Sequence, residues 1–202
     1  MSSERVQFWY EFASTYSYLS VSRIDRVAAD AGVGVAWRPF LLGPIMKLQS
    51  GWLDSPFNIY PVKGRYMWRD VERLAEGYSI PFQRPSVFPR NGLLAARVAC
   101  VGVSEGWCEE FTKRVFKANF ADDRDISDPD LLVEILDTLG RDGEAAIARA
   151  TTVENKDFLR KQTEEAKGLG IFGAPTFVVG REIFWGNDRL EMALEWWKNH
   201  RG

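Results

Sequence analysis

Phe8-Trp9-Tyr10-Glu11-Phe12-Ala13-Ser14-Thr15-Tyr16-Ser17-Tyr18-Leu19 is the stretch from which the fold of this chain is read. Its approach, Val6 to Phe12, is aromatic and β-branched, the composition of a buried strand. Ala13-Ser14-Thr15 follows with small and hydroxylated residues, the preferred chemistry of a helix start. From Tyr16 the spacing of Tyr18, Leu19, Ile24, Val27 and Ala28 predicts one amphipathic helix ending near Gly32. A strand therefore hands over to a helix close to Ser14. A helix start carries free N–H groups and a partial positive charge, which stabilise an anion. Ser14 holds a hydroxyl at that spot. Taken alone, its residue type favours the plainer role of helix cap.

Composition narrows the field. The chain has 202 residues, 46% of them hydrophobic, enough for one large domain with a real core. The net charge of −2, with both signs interspersed, argues against a nucleic-acid surface or a polybasic membrane patch. No apolar run approaches the ~18 residues of a membrane span. Met1-Ser2-Ser3-Glu4-Arg5 leads into the strand without an apolar signal segment, so a cytoplasmic protein is expected. Two cysteines, Cys100 and Cys108, lie in helical sequence and cannot form a disulfide framework. The single histidine, His200, is two residues from the end. That argues against Ser-His-Asp or Cys-His catalysis and against a zinc site, and no metal is expected.

Outward from the opening stretch, Val33 to Pro39 reads as a second strand, with Val33, Val35 and Trp37 alternating. So short a strand–helix–strand unit implies a parallel pair. Gly43-Pro44 marks a departure from regular structure, and Leu48 to Val62 is expected to be loop-like. From Lys63 the pattern is helical for about a hundred residues. Segments at 65–78, 91–103, 106–119, a fourth opening at Ser127-Asp128-Pro129, 143–150 and 154–168 make up this block. Thr176–Val179 and Glu182–Trp185 then read as a hairpin about Gly180-Arg181, before a last helix over 189–197. The expected fold is α/β: a thioredoxin-like, four-stranded mixed sheet from segments 1–43 and 151–202, with an all-helical domain, 44–150, inserted between them.

Three motifs carry a family resemblance. The chain has Phe12-Ala13-Ser14-Thr15-Tyr16-Ser17-Tyr18-Leu19, then Phe172-Gly173-Ala174-Pro175-Thr176, then Trp185-Gly186-Asn187-Asp188-Arg189. In this order they resemble the 2-hydroxychromene-2-carboxylate isomerases and the related kappa-class glutathione transferases. Thr15 stands where the group commonly has proline. In thioredoxin-like folds the first helix start faces a cis-proline before the third strand, here Ser14 and Pro175. Where disulfide-exchanging branches have Cys-x-x-Cys, this chain has Ser14-Thr15-Tyr16-Ser17, so dithiol chemistry at this site is excluded.

The resemblance implies glutathione as cofactor, with Ser14 as the catalytic residue hydrogen-bonded to its thiolate. It implies that Ala174 pairs with the cysteinyl main chain, and that Trp185, Gly186, Asn187 and Asp188 hold the γ-glutamyl end. Lys63 would meet the glycyl carboxylate. Lys47, Asn58 and Phe88 would meet an aromatic 2-oxo acid substrate, although solvated lysines and a core phenylalanine are the plainer expectations. Trp52, Tyr60, Tyr66 and Trp68 could add aromatic lining. The implied activity is glutathione-dependent cis–trans isomerisation. A kappa-type transferase is the close alternative, and a non-catalytic thioredoxin-like binding module the distant one. The resemblance also implies a homodimer.

Overall fold

A computed structural model describes residues 5–51 and 54–200. Chain order is β1 (Arg5–Tyr10), α1 (Thr15–Val21), α2 (Ile24–Ala31), β2 (Gly34–Pro39), α3 (Leu42–Ser50), α4 (Pro56–Ile59), α5 (Pro61–Tyr78) and α6 (Leu93–Glu105). It continues with α7 (Cys108–Phe120), α8 (Pro129–Thr138), α9 (Gly143–Ala150), α10 (Val153–Gly168), β3 (Thr176–Val179), β4 (Glu182–Trp185) and α11 (Leu190–Asn199), the last entered through a 3-10 turn at Asn187–Arg189. The strands form one mixed sheet in the order β2-β1-β3-β4. β1 and β2 run parallel, with Phe8 opposite Trp37, and the β1–β3 and β3–β4 pairs are antiparallel. This is the expected thioredoxin-like α/β sheet.

The period of two in β1 separates its side chains onto two faces. Val6, Phe8 and Tyr10 join one large core with Trp37, Phe177 and residues of α6, α7 and α11. Trp9 faces the other way, into a smaller core with Phe40, Ile45 and Val178. Phe8 is fully buried and stacks on Phe177 at 5.3 Å. Truncating such a ring to alanine costs about 3–5 kcal/mol. The helical block is not packed apart from the sheet: Phe116 of α7 lies 5.1 Å from Phe12 and 6.0 Å from Tyr10. A third cluster ties Leu19 of α1 to Met67, Trp68 and Val71 of α5.

Two expectations are corrected. The single helix expected from Tyr16 to Gly32 is two, interrupted at Ser22-Arg23. The Ser22 hydroxyl donates to the Tyr18 carbonyl at 2.8 Å, and the Arg23 side chain is drawn to the far end of the chain, as described below. The region 43–62, expected to be irregular, holds all but the first residue of α3, all of α4 and the start of α5. Its prolines start helices instead of interrupting them. Pro44 lies in the first turn of α3, Pro56 follows the Ser55 cap of α4, and Pro61 opens α5. A first-turn residue has no helical carbonyl to bond, so the missing N–H costs nothing there. Trp52 lies outside the described residues.

Candidate active site

The Ser14 hydroxyl is the point where the two halves of the chain meet. Ser14 is the N-cap of α1, in extended backbone, and its Oγ accepts from Ser17 N–H at 3.1 Å. The same hydroxyl donates to the Ala174 carbonyl at 2.9 Å, across 160 residues. The Ala174–Pro175 peptide is cis, as expected; so is Phe88–Pro89, which was not. Pro175 O accepts from Gly186 N–H at 3.0 Å, which joins the entry to β3 to the turn after β4. The first-turn N–H groups of Thr15 and Tyr16 have no helical carbonyl to bond, as at any helix start.

These groups open into a cavity of about 1630 Å³. Ser14, Lys47, Lys63, Phe88, Ala174, Trp185, Gly186, Asn187 and Asp188 all line it. Asn58 does not. Its amide donates to the Phe88 carbonyl at 3.1 Å and to the Asp54 carboxylate at 3.1 Å, so it holds the wall from behind. Phe88 sets its ring edge to face against Trp68 at 4.8 Å. Lys63 Nζ lies 5.6 Å from the Phe57 ring centre. Tyr16 donates to Asp70 at 2.9 Å, and burial followed by that carboxylate pushes its hydroxyl upward.

The turn from Trp185 to Arg189 depends on its glycine. Gly186 has φ of +115°, a region closed to residues with a Cβ, and a Cβ there would stand 2.6 Å from Asp188 Oδ1. Trp185 is half exposed and packs on Phe172 at 4.9 Å. Gly173 makes room for its indole: a Cβ at 173 would meet Trp185 Nε1 at 2.2 Å. Asp188 is exposed and pairs with Arg189 at 3.2 Å.

Asn187 is the opposite case, only 2% exposed. Its Oδ1 accepts from Ser20 Oγ at 3.1 Å and from Arg23 Nε at 3.3 Å. Arg23 also donates to the Asn187 carbonyl at 3.1 Å and grips Glu191 through both its terminal nitrogens, at 2.6 and 2.9 Å. With Oδ1 committed, Nδ2 is the free end of the amide: it is buried and has no partner. An unmatched buried donor costs about 1–3 kcal/mol, a cost that an acceptor reaching Nδ2 from the cavity Asn187 lines would remove.

Sequence reasoning missed Arg23, Ser20 and Glu11. Arg23 and Ser20 gave no local signal, because their partner is more than 160 residues away. Glu11 did: it is the lone carboxyl in an aromatic run, and it lines the same cavity. Burial pushes it up from 4.5 to about 7, opposed by the Ala13 N–H. The cysteines stand away from the cavity. Both are buried and unpaired, and burial pushes Cys100 up to about 12 and Cys108 to about 11. Among the described residues, no group of His, Cys, Asp and Glu is placed to hold a metal ion, and no helix is long and apolar enough to cross a membrane.

Known proteins share this architecture. The DSBA-like thioredoxin domain matches residues 5–196. The chain is 30% identical over 203 residues to 2-hydroxychromene-2-carboxylate isomerase of Pseudomonas sp. (strain C18), covering 93% of this chain and 87% of that protein. It is 27% identical over 201 residues to human glutathione S-transferase kappa 1, covering 93% and 88%. A solved structure of a 2-hydroxychromene-2-carboxylate isomerase superposes with a TM-score of 0.84 at 26% identity, over 96% of this chain and 94% of that one. The chain thus belongs to the DSBA-like thioredoxin domain family, in the group of the 2-hydroxychromene-2-carboxylate isomerases and their kappa-class glutathione transferase relatives.

Proposed function

We propose that this protein is a glutathione-dependent cis–trans isomerase acting on 2-hydroxychromene-2-carboxylate or a similar aromatic 2-oxo acid. The observation that carries the reading is the Ser14 hydroxyl, placed at a helix start, 2.9 Å from the carbonyl before the cis-proline, at the edge of a large cavity. The buried, unmatched Asn187 Nδ2 beside that cavity fits the acceptor-rich γ-glutamyl end of glutathione. Ser14, Ala174, Trp185, Gly186, Asn187 and Asp188 would hold the tripeptide, with Lys63 toward its glycyl carboxylate. Bound there, glutathione supplies a thiolate that adds reversibly to the conjugated double bond, so that the bond can rotate while it is single.

The chain's own residues make that thiolate available. The start of α1 offers partial positive charge and free N–H groups to an anion. Ser14 has one proton, so it gives up Ala174 O when it turns to a thiolate. A serine in this role needs no histidine, which suits a chain whose only histidine is His200. Lys47 faces a substrate carboxylate, Phe88 supplies an aromatic wall, and Asn58 contributes by holding the Phe88 carbonyl.

The test is mass spectrometry of products from a chromene-2-carboxylate, with and without glutathione. Product of unchanged mass, formed only with glutathione, is expected. Accumulation of a stable glutathione adduct would favour the transferase reading, which the similarity to kappa 1 supports. No conversion and no glutathione binding would refute both.

A further inference from the structure

Resting on the isomerase reading, we propose that the Glu11 carboxyl carries the proton that opens the chromene ring. Glu11 lies between β1 and α1 and lines the cavity that Ser14 lines. Its carboxyl rests against Gly92, the N-cap of α6. A Cβ at position 92 would stand 2.8 Å from Phe12 Cβ, which closes the position to larger residues, and 3.4 Å from Glu11 Oε1, ordinary contact, which places the carboxyl beside this helix start.

Among the described residues, no side chain pairs with Glu11; the Ala13 N–H is its donor. Most of the cavity's other charges have partners of their own. Asp54 accepts from Asn58 and Asp70 from Tyr16, Asp188 pairs with Arg189, and Lys63 lies over Phe57. Arg90 is buried and held by Asn119 and Asp123. Lys47 is the lining cation without a partner among the described residues. A structural carboxylate in such surroundings would be expected to have acquired a cation. Burial, which raises Glu11 to about 7, is opposed by the Ala13 N–H, so acid and carboxylate are both available near neutrality. That is the range in which a proton carrier works best.

Ring opening needs such a group and does not need glutathione. The C2–O bond of the cyclic hemiketal breaks, and its electron pair goes to the ring oxygen. That oxygen takes the proton from Glu11 and becomes a phenol. The 2-hydroxyl gives its proton to the resulting Glu11 carboxylate as the ketone forms. One proton has moved from the 2-hydroxyl to the phenolic oxygen, and Glu11 ends as it began.

The test separates this step from the isomerisation. Ring opening of a 2-hydroxychromene-2-carboxylate is followed without glutathione, in wild type, Glu11→Gln and Glu11→Asp. The protein's carboxyl infrared band is titrated in parallel. Wild type should accelerate opening over solution, and Glu11→Gln should lose about 10²-fold or more of that acceleration. Glu11→Asp should keep part of it. Glutathione affinity should stay within about threefold in all three. A carboxyl band titrating near neutrality should vanish in Glu11→Gln. Equal opening rates in wild type and a folded Glu11→Gln would overturn the proposal while leaving the isomerase reading intact. A wild type that neither opens the ring nor isomerises would overturn the reading, and the proposal with it.

Discussion

Replacing Ser14 with alanine should separate its two roles, because the structure gives its hydroxyl two bonds and only one proton. The hydroxyl accepts from Ser17 N–H at 3.1 Å and donates to Ala174 O at 2.9 Å. Losing the cap costs about 0.5–2 kcal/mol. The bond to Ala174 is neutral and worth about 1 kcal/mol, part of which water entering the cavity recovers. Ser14→Ala should therefore be less stable by about 1–2 kcal/mol in urea unfolding. For a bound thiolate, the hydroxyl exchanges that neutral bond for one to a charge, worth about 1.5–3 kcal/mol. The net gain is about 0.5–2 kcal/mol, so the bound thiol in the mutant should titrate about 0.4–1.5 pH units higher. Turnover at neutral pH should fall about 2- to 30-fold and recover at higher pH. The assay is the ultraviolet absorbance of the thiolate of bound glutathione, titrated in both proteins beside turnover. Coincident titration curves with equal turnover would mean that Ser14 only caps α1. A loss above a thousandfold would mean that the hydroxyl does more than exchange one bond for another.

Further outcomes follow from other parts of the site. The folded Glu11 carboxyl titrates above its unfolded value, so the native state binds the extra proton between 4.5 and about 7, and wild-type stability falls as pH rises through that window. Glu11→Gln should match wild type near pH 4 and exceed it at pH 8 by at most about 3 kcal/mol, read by denaturant titration at both pH values. Arg23→Ala removes the partner of Glu191 and leaves Ser20 Oγ as the one side-chain donor among the described residues that holds the Asn187 amide. Glutathione affinity should drop about tenfold, with stability lower by about 1–3 kcal/mol; unchanged calorimetric affinity would remove Arg23 from the site. Insulin reduction should stay at background, because Ser14-Thr15-Tyr16-Ser17 has no sulfur and burial keeps Cys100 and Cys108 as thiols. Activity above background that is lost on replacing either cysteine would refute this.

Legibility followed sequence distance. Where one local rule governs, residues and structure agree. Alternation in Phe8-Trp9-Tyr10 yields two buried faces, Gly180-Arg181 turns a hairpin, and Ser127-Asp128-Pro129 starts α8. Where a residue type serves two rules, local reading chose wrongly. A proline breaks regular structure in the middle of an element, yet it is equally at home in a first helical turn, where Pro44, Pro56 and Pro61 all stand. The break at Ser22-Arg23 was invisible because its cause, the pull of Asn187 and Glu191 on Arg23, lies at the other end of the chain.

The sequence by itself determined the order of the four strands and of the helices after residue 63, the missing dithiol and the three motifs that point to one site. These depend on residue chemistry and on spacings of a few positions, which the chain carries locally. Tertiary structure alone decided how that site is wired. It set Ser14 against Ala174, fixed the Asn187 amide through Arg23 and Ser20, turned Asn58 behind the wall and placed Glu11 beside Gly92 at the cavity. Each of these is a through-space contact, most of them between segments far apart in the chain, and its energy depends on distance, orientation and loss of water. None of these quantities exists until the sheet has closed and the helices have packed on it.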